Sequence, residues 1–120
     1  MSGKIDWNQA YETVGGDQDL LVELIEIFFE EHPKLIAGIR ESIDSNALVD
    51  LRRFAHTMKG CLRYFGETQA GHLSFELEAM ARDNKAGQAE EVFTELKSKL
   101  EWLLPELRDF VASQPPATEA

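Results

Sequence analysis

The chain of 120 residues is 43% hydrophobic and 28% charged, a balance that suits one small domain with a continuous core and excludes a disordered segment. With 22 Asp and Glu against 12 Lys and Arg, its formal net charge is −10, which excludes a general nucleic-acid binder because neutralising phosphates takes a broad basic surface. The single cysteine, Cys61, excludes an internal disulfide, and there is neither a zinc-type spacing nor a long apolar run, so the expectation is a cytoplasmic chain with no metal of its own and no direct membrane contact.

Apolar periodicity near 3.6 residues runs almost from end to end. Asp6 followed by Gln9 reads as a capping box opening a short helix through Val14, ended by Gly15 and Gly16. Asp17 caps a second helix, whose stripe runs from Leu21, Ile25 and Phe28 through Leu35, Ile39 and Ile43. Pro33 removes a backbone donor inside it and predicts a kink, or a division near Glu31. Ser45 and Asn46 read as the next turn and cap, and a third helix is predicted over 47–65 with Gly66 at its C-terminal end. Ala70, Leu73, Leu77 and Met80 begin a fourth stripe, 83–87 is a turn, and 89–110 forms the last helix, bent at Pro105. Residues 114–120 read as a flexible tail, leaving a domain over 1–113. The pattern predicts an all-α fold, an antiparallel up-down four-helix bundle with a short additional N-terminal helix closing one end.

The third helix carries Ala55-His56-Thr57-Met58-Lys59-Gly60. Leu51, Ala55, Met58 and Leu62 form its buried stripe, which turns His56, Lys59, Gly60 and Arg63 outward. Arg52 lies one turn before His56, and Arg53 points further round, so four basic residues and no acidic one fall between Leu51 and Gly66. An imidazole attacks phosphorus when one ring nitrogen is free and the other is held as a donor. Lys59, one turn on, brings an ammonium within reach of phosphoryl oxygens. Gly60 costs about 0.8–1.0 kcal/mol relative to alanine inside a helix, and close approach of another protein's backbone gives it a reason. A tight turn at Gly66 sets His56 opposite Leu77, so either Glu76 or Glu78 is placed to accept the ring proton. The plainer reading of His56 is a solvated surface histidine. His32 reads as a helix-end or pre-proline surface residue, and His72 as solvated or partly packed.

These residues resemble the histidine-containing phosphotransfer (HPt) domains of multistep phosphorelays. The likeness covers nearly the whole chain: Gly16-Asp17, Phe28-Phe29, Glu31-His32-Pro33, the His56 to Gly60 run and Gly66. It implies that His56 accepts a phosphoryl group from a receiver-domain aspartyl phosphate and passes it to another receiver. Lys59 then steadies the phosphate, and Gly60 gives the receiver access. By its offset from His56, Glu78 falls where several members carry a glutamine or similar polar group on the imidazole, and Arg82 matches a basic position beside it. Arg52, Arg53 and Arg63 are placed to guide docking onto an acidic partner. Met58 replaces a leucine or isoleucine, and Cys61 stands where a small serine or alanine is usual and reads as a packing residue.

The implied partners are receiver domains of response regulators or hybrid sensor kinases, with magnesium brought by the receiver. The chain itself is then a monomeric phosphocarrier, free-standing or part of a membrane-anchored hybrid kinase, with no cofactor or ATP site and no enzymatic activity of its own. The alternative is a helical adaptor that binds receiver or kinase domains without being phosphorylated.

Overall fold

The computed structural model describes residues 4–66 and 68–114, so the tail expected over 114–120 lies outside the described residues except for Gln114, whose side-chain amide donates to the Phe110 carbonyl at 3.0 Å. The elements in order are α1 (Trp7–Thr13), α2 (Gln18–Asp44), α3 (Leu48–Arg63), α4 (Gln69–Arg82), a 3-10 turn (Ala86–Gln88) and α5 (Ala89–Ala112). The four long helices form an antiparallel bundle in which α2 packs on α3, α3 on α4, α4 on α5, and α5 back on α2. The particle measures 52 × 28 × 22 Å, elongated along the bundle.

Three helix ends share one solution to the problem of unpaired terminal carbonyls. After α1, Gly15 takes φ 63° and the Gly16 amide closes on the Tyr11 carbonyl at 2.8 Å. After α2, Asn46 takes φ 56° and the Ala47 amide closes on Ser42 at 2.9 Å. After α4, Asn84 takes φ 57° and the Lys85 amide closes on Met80 at 2.8 Å. Glycine and asparagine suit these positions because they enter the left-handed region at least cost.

Several local expectations are corrected. Only half the capping box forms: Asp6 Oδ1 accepts from the Gln9 amide at 3.1 Å, but the Gln9 side chain turns to Thr13. The Asp6 amide is claimed instead by the Phe65 carbonyl at 2.9 Å, which ties α1 to the end of α3. Ser45 and Asn46 close α2 rather than cap α3, whose N-cap Ala47 offers no side-chain bond. Pro33 does not divide α2, which runs unbroken for 27 residues. Its ring is exposed, while Phe28 and Leu35 on either side are buried, so packing holds the helix through the missing hydrogen bond. Pro105 is likewise accommodated inside α5.

His32 is not a helix-end residue. It sits mid-helix and half-buried, with its ring 5.2 Å from that of Phe28. Burial, and then the charge of Arg108, lower its pKa.

Two ends of the bundle are fastened by different chemistry. At one end Arg40 of α2 bridges Asp44 and, across to α5, Glu90, at 2.7 Å and 2.9 Å respectively. At the other, Trp7 of α1 stacks on Phe110 at 4.5 Å and donates its indole hydrogen to Glu106 at 2.7 Å. Between them the core is continuous, with Leu51, Met58, Leu62, Leu77 and Phe93 fully enclosed.

Where α3 meets α4, Gly66 has φ 94°, and a Cβ there would lie 2.6 Å from the Asp6 side chain. That glycine sets both the turn and the seating of α1. Thr68 then caps α4, its hydroxyl accepting from the Gly71 amide at 2.9 Å. The turn fixes how α3 and α4 lie side by side along the bundle.

Candidate functional site

The site is built on the α3 and α4 pair, the most extensive helix packing in the molecule. Ala55, Met58 and Leu62 bury one face of α3, and Leu73, Leu77 and Ala81 bury the facing stripe of α4. Residues one step off those stripes meet at the solvent edge of the seam. His56 is there, with 66% of its side chain exposed.

Of the two glutamates left open by the sequence, the structure selects Glu78. Its Oε2 lies 2.7 Å from His56 Nδ1, whereas Glu76 is exposed on the far flank of Leu77. A carboxylate only accepts, so Nδ1 carries the hydrogen and donates it. That leaves Nε2, the outer ring nitrogen, with its lone pair.

Glu78 is also the partner of Lys59, whose ammonium stands 2.7 Å from Oε1. Both side chains are largely enclosed, at 20% exposure for Lys59 and 13% for Glu78. Oε1 is buried and receives no hydrogen bond of regular geometry, so the close charge contact with Lys59 is what offsets its burial. Burial pushes the Glu78 carboxyl pKa up, but the contacts and charges of Lys59 and His56 outweigh it and hold the group below its ordinary value.

A folded pKa below the unfolded one contributes stability above the unfolded value, and that contribution is lost as pH falls through the folded one. In urea unfolding, the stability difference between the chain and Glu78→Gln is therefore expected to shrink as the pH is lowered below about 4.

Gly60 faces open space: a Cβ built there meets nothing within 4 Å. The glycine is thus not required by packing inside the chain. Gly38, by contrast, is required, since a Cβ there would collide with the Phe54 ring at 2.7 Å.

The arginines are distributed less uniformly than the sequence implies. Arg52 and Arg63 are exposed, and Arg63 lines a groove of about 250 Å³ together with Lys59, His72 and Phe75. Arg53 is engaged by Asp50 at 3.3 Å and lies over the Phe54 ring. Arg82 is held by its neighbour Asp83 at 3.1 Å, and Glu78 adds a further electrostatic pull. Cys61 is half-buried toward α2, where burial, then the charge of Glu31, push its thiol pKa up, as suits a packing residue.

One site residue escapes the sequence reading. Phe75 is 48% exposed, and the Lys59 ammonium lies 5.3 Å from its ring centroid. It stands one turn before Glu78, a spacing that puts both on one face and could have singled it out.

A family model described as the Hpt domain matches residues 23–110. The chain is similar to the phosphorelay intermediate protein rdeA of Dictyostelium discoideum, with 22% identity over 107 residues, 89% of this chain and 42% of that protein. The chain thus spans less than half the length of that relative. Its fold is similar to the crystal structure of the HPT domain of a sensor hybrid histidine kinase from Shewanella, with a TM-score of 0.83 at 15% identity over 95% of this chain and 98% of that one. Among the described residues, no helix is long and apolar enough to cross a membrane.

Proposed function

The chain belongs to the Hpt domain family, and from that premise we propose that His56 takes a phosphoryl group from the aspartyl phosphate of a receiver domain and hands it to another receiver. The observation that carries this reading is the contact of Nδ1 with Glu78: it fixes the tautomer that leaves Nε2 as a nucleophile at the surface. Lys59 steadies the phosphate from one helical turn away. Gly60 leaves room for the partner's backbone, and Arg52 and Arg63 supply positive charge to an acidic docking face.

Phosphoryl transfer of this kind depends mainly on alignment and charge neutralisation, so a positioned imidazole and one ammonium suffice on this side. The aspartate and the magnesium ion come with the receiver. The chain acts as a monomeric carrier and neither binds nor hydrolyses ATP.

The test is to incubate the chain with a phosphorylated receiver and follow label that is acid-labile and base-stable. Label is expected on His56, and NMR of the labelled ring should place the phosphorus on Nε2. Absence of transfer from a panel of receivers, or phosphorus on Nδ1, would overturn the reading.

A further inference from the structure

We propose that Glu78 governs the departure of the phosphoryl group as well as its capture, by holding the Nδ1 proton of His56 throughout the phosphorylated state so that the ring leaves as neutral imidazole. This rests on the phosphocarrier reading and goes beyond the orienting of the ring.

In loading, the Nε2 lone pair forms the bond to phosphorus while the bond from phosphorus to the receiver's aspartyl oxygen breaks, its electron pair remaining on that oxygen. Nδ1 keeps its hydrogen, so the product ring is an imidazolium bearing the phosphoryl group. In unloading, an acceptor carboxylate oxygen forms the new bond, and the pair of the breaking nitrogen–phosphorus bond returns to Nε2. The ring is then neutral, as it began. Neither direction requires a proton to be exchanged with solvent. Were Nδ1 to lose its proton in between, the departing group would be imidazolate, a much more basic anion and a poorer leaving group.

The surroundings favour retention of that proton. Glu78 of α4 is, among the described residues, the carboxylate in hydrogen-bond contact with the ring, at 2.7 Å, and it is mostly enclosed, where an opposite charge acts strongly. Lys59 of α3 opposes it, but its ammonium is spent on the other oxygen of the same carboxylate. Arg82 of α4 is paired with Asp83, and Arg53 of α3 with Asp50. Arg52 lies one turn before His56 and is exposed, where solvent screens it. From α2, which packs on the other flank of α3, Glu31 bears on Cys61. Glu78 also holds Lys59 in the empty site, so an arriving phosphoryl group must share that cation. Both effects make the phosphorylated histidine a readier donor.

A glutamine at 78 can accept the same hydrogen bond without the charge, which separates orientation from proton retention. The intact chain and Glu78→Gln are loaded with phosphoramidate, and the rate of onward transfer to a receiver is measured against pH. Wild type should keep the fast, ring-protonated form to higher pH, its midpoint lying above that of the variant by about 1 unit or more. Coincident midpoints would overturn the proposal.

Should Glu78→Gln fail to fold, 15N titration of Nδ1 in the phosphorylated wild-type chain decides. A pKa above that of free Nε2-phosphohistidine in the same buffer supports the proposal; a value equal or lower overturns it. Survival of label in His56→Gln would instead defeat the phosphocarrier reading itself, so the two failures are distinct.

Discussion

Substituting His56 by glutamine should abolish covalent phosphate capture from a phosphorylated receiver, reducing acid-labile label to background. The amide is close to imidazole in size and can still meet Glu78, but it has no basic ring nitrogen to attack phosphorus. Because 66% of the His56 side chain is exposed, the fold should be nearly indifferent to the change, within about 0.5 kcal/mol. Denaturant unfolding and label transfer measured on one preparation give the check. Full loss of label with an unaltered unfolding midpoint is the expected pair of results, and label retained at wild-type level would place the phosphoryl group elsewhere.

The second large effect is expected at Gly60. Its backbone is ordinary helix, and a Cβ there meets nothing within 4 Å, so Gly60→Gln should stabilise the chain by about 0.5–1 kcal/mol through helix propensity alone. The same side chain would stand beside His56 in the space a docked receiver needs. A displacement of the reacting atoms by about 1 Å can cost a hundredfold in rate, so transfer from the receiver should fall by at least that factor. Stopped-flow or gel-based transfer kinetics read the effect. A variant that is both more stable and far slower would separate the surface's role in docking from any role in folding. A variant that transfers at the wild-type rate would remove Gly60 from the interface.

Some of this was plain in the residues. The stripe of Leu51, Ala55, Met58 and Leu62 fixes which way α3 faces, and once it is buried His56 and Gly60 point outward. Lys59, expected outward with them, instead folds over the seam onto Glu78 and keeps only 20% of its side chain exposed. Asp17 and the glycine pair before it mark a helix boundary by local chemistry that needs no tertiary context: the Asp17 side chain accepts from the Leu20 amide, as its position suggests.

Other features depend on neighbours distant in sequence. Pro33 argues locally for a break, and only the burial of Phe28 and Leu35 against other helices overrides it. The half-burial of His32 follows from the same packing and from Arg108 on α5, 76 positions away. Glu76 and Glu78 are equivalent by spacing, and the choice between them is made by the phase with which α4 lies against α3. The ion pair of Lys59 with Glu78 follows from that choice, so it could not be read in advance either. Phe75 differs: it lies off the stripe of Ala70, Leu73, Leu77 and Met80, so periodicity alone turns it outward, but nothing links it to the site until the bundle sets the Lys59 ammonium over its ring.

The exposure of His56 also bears on timing. The ring stands on a rigid, well-packed helix at the open edge of a seam, with no segment among the described residues folded over it. On the proposed function, a phosphoryl group held there would meet water from the moment the donor leaves until the next receiver arrives. Given the proposed role of Glu78, the persistence of that group is an intrinsic clock set by the electronics of one ring and one carboxylate, and the same carboxylate sets how readily the group leaves for a docked receiver, which adds the exclusion of water. A change at Glu78 would then shift waste and delivery together, whereas a change in a receiver's docking face would shift delivery alone.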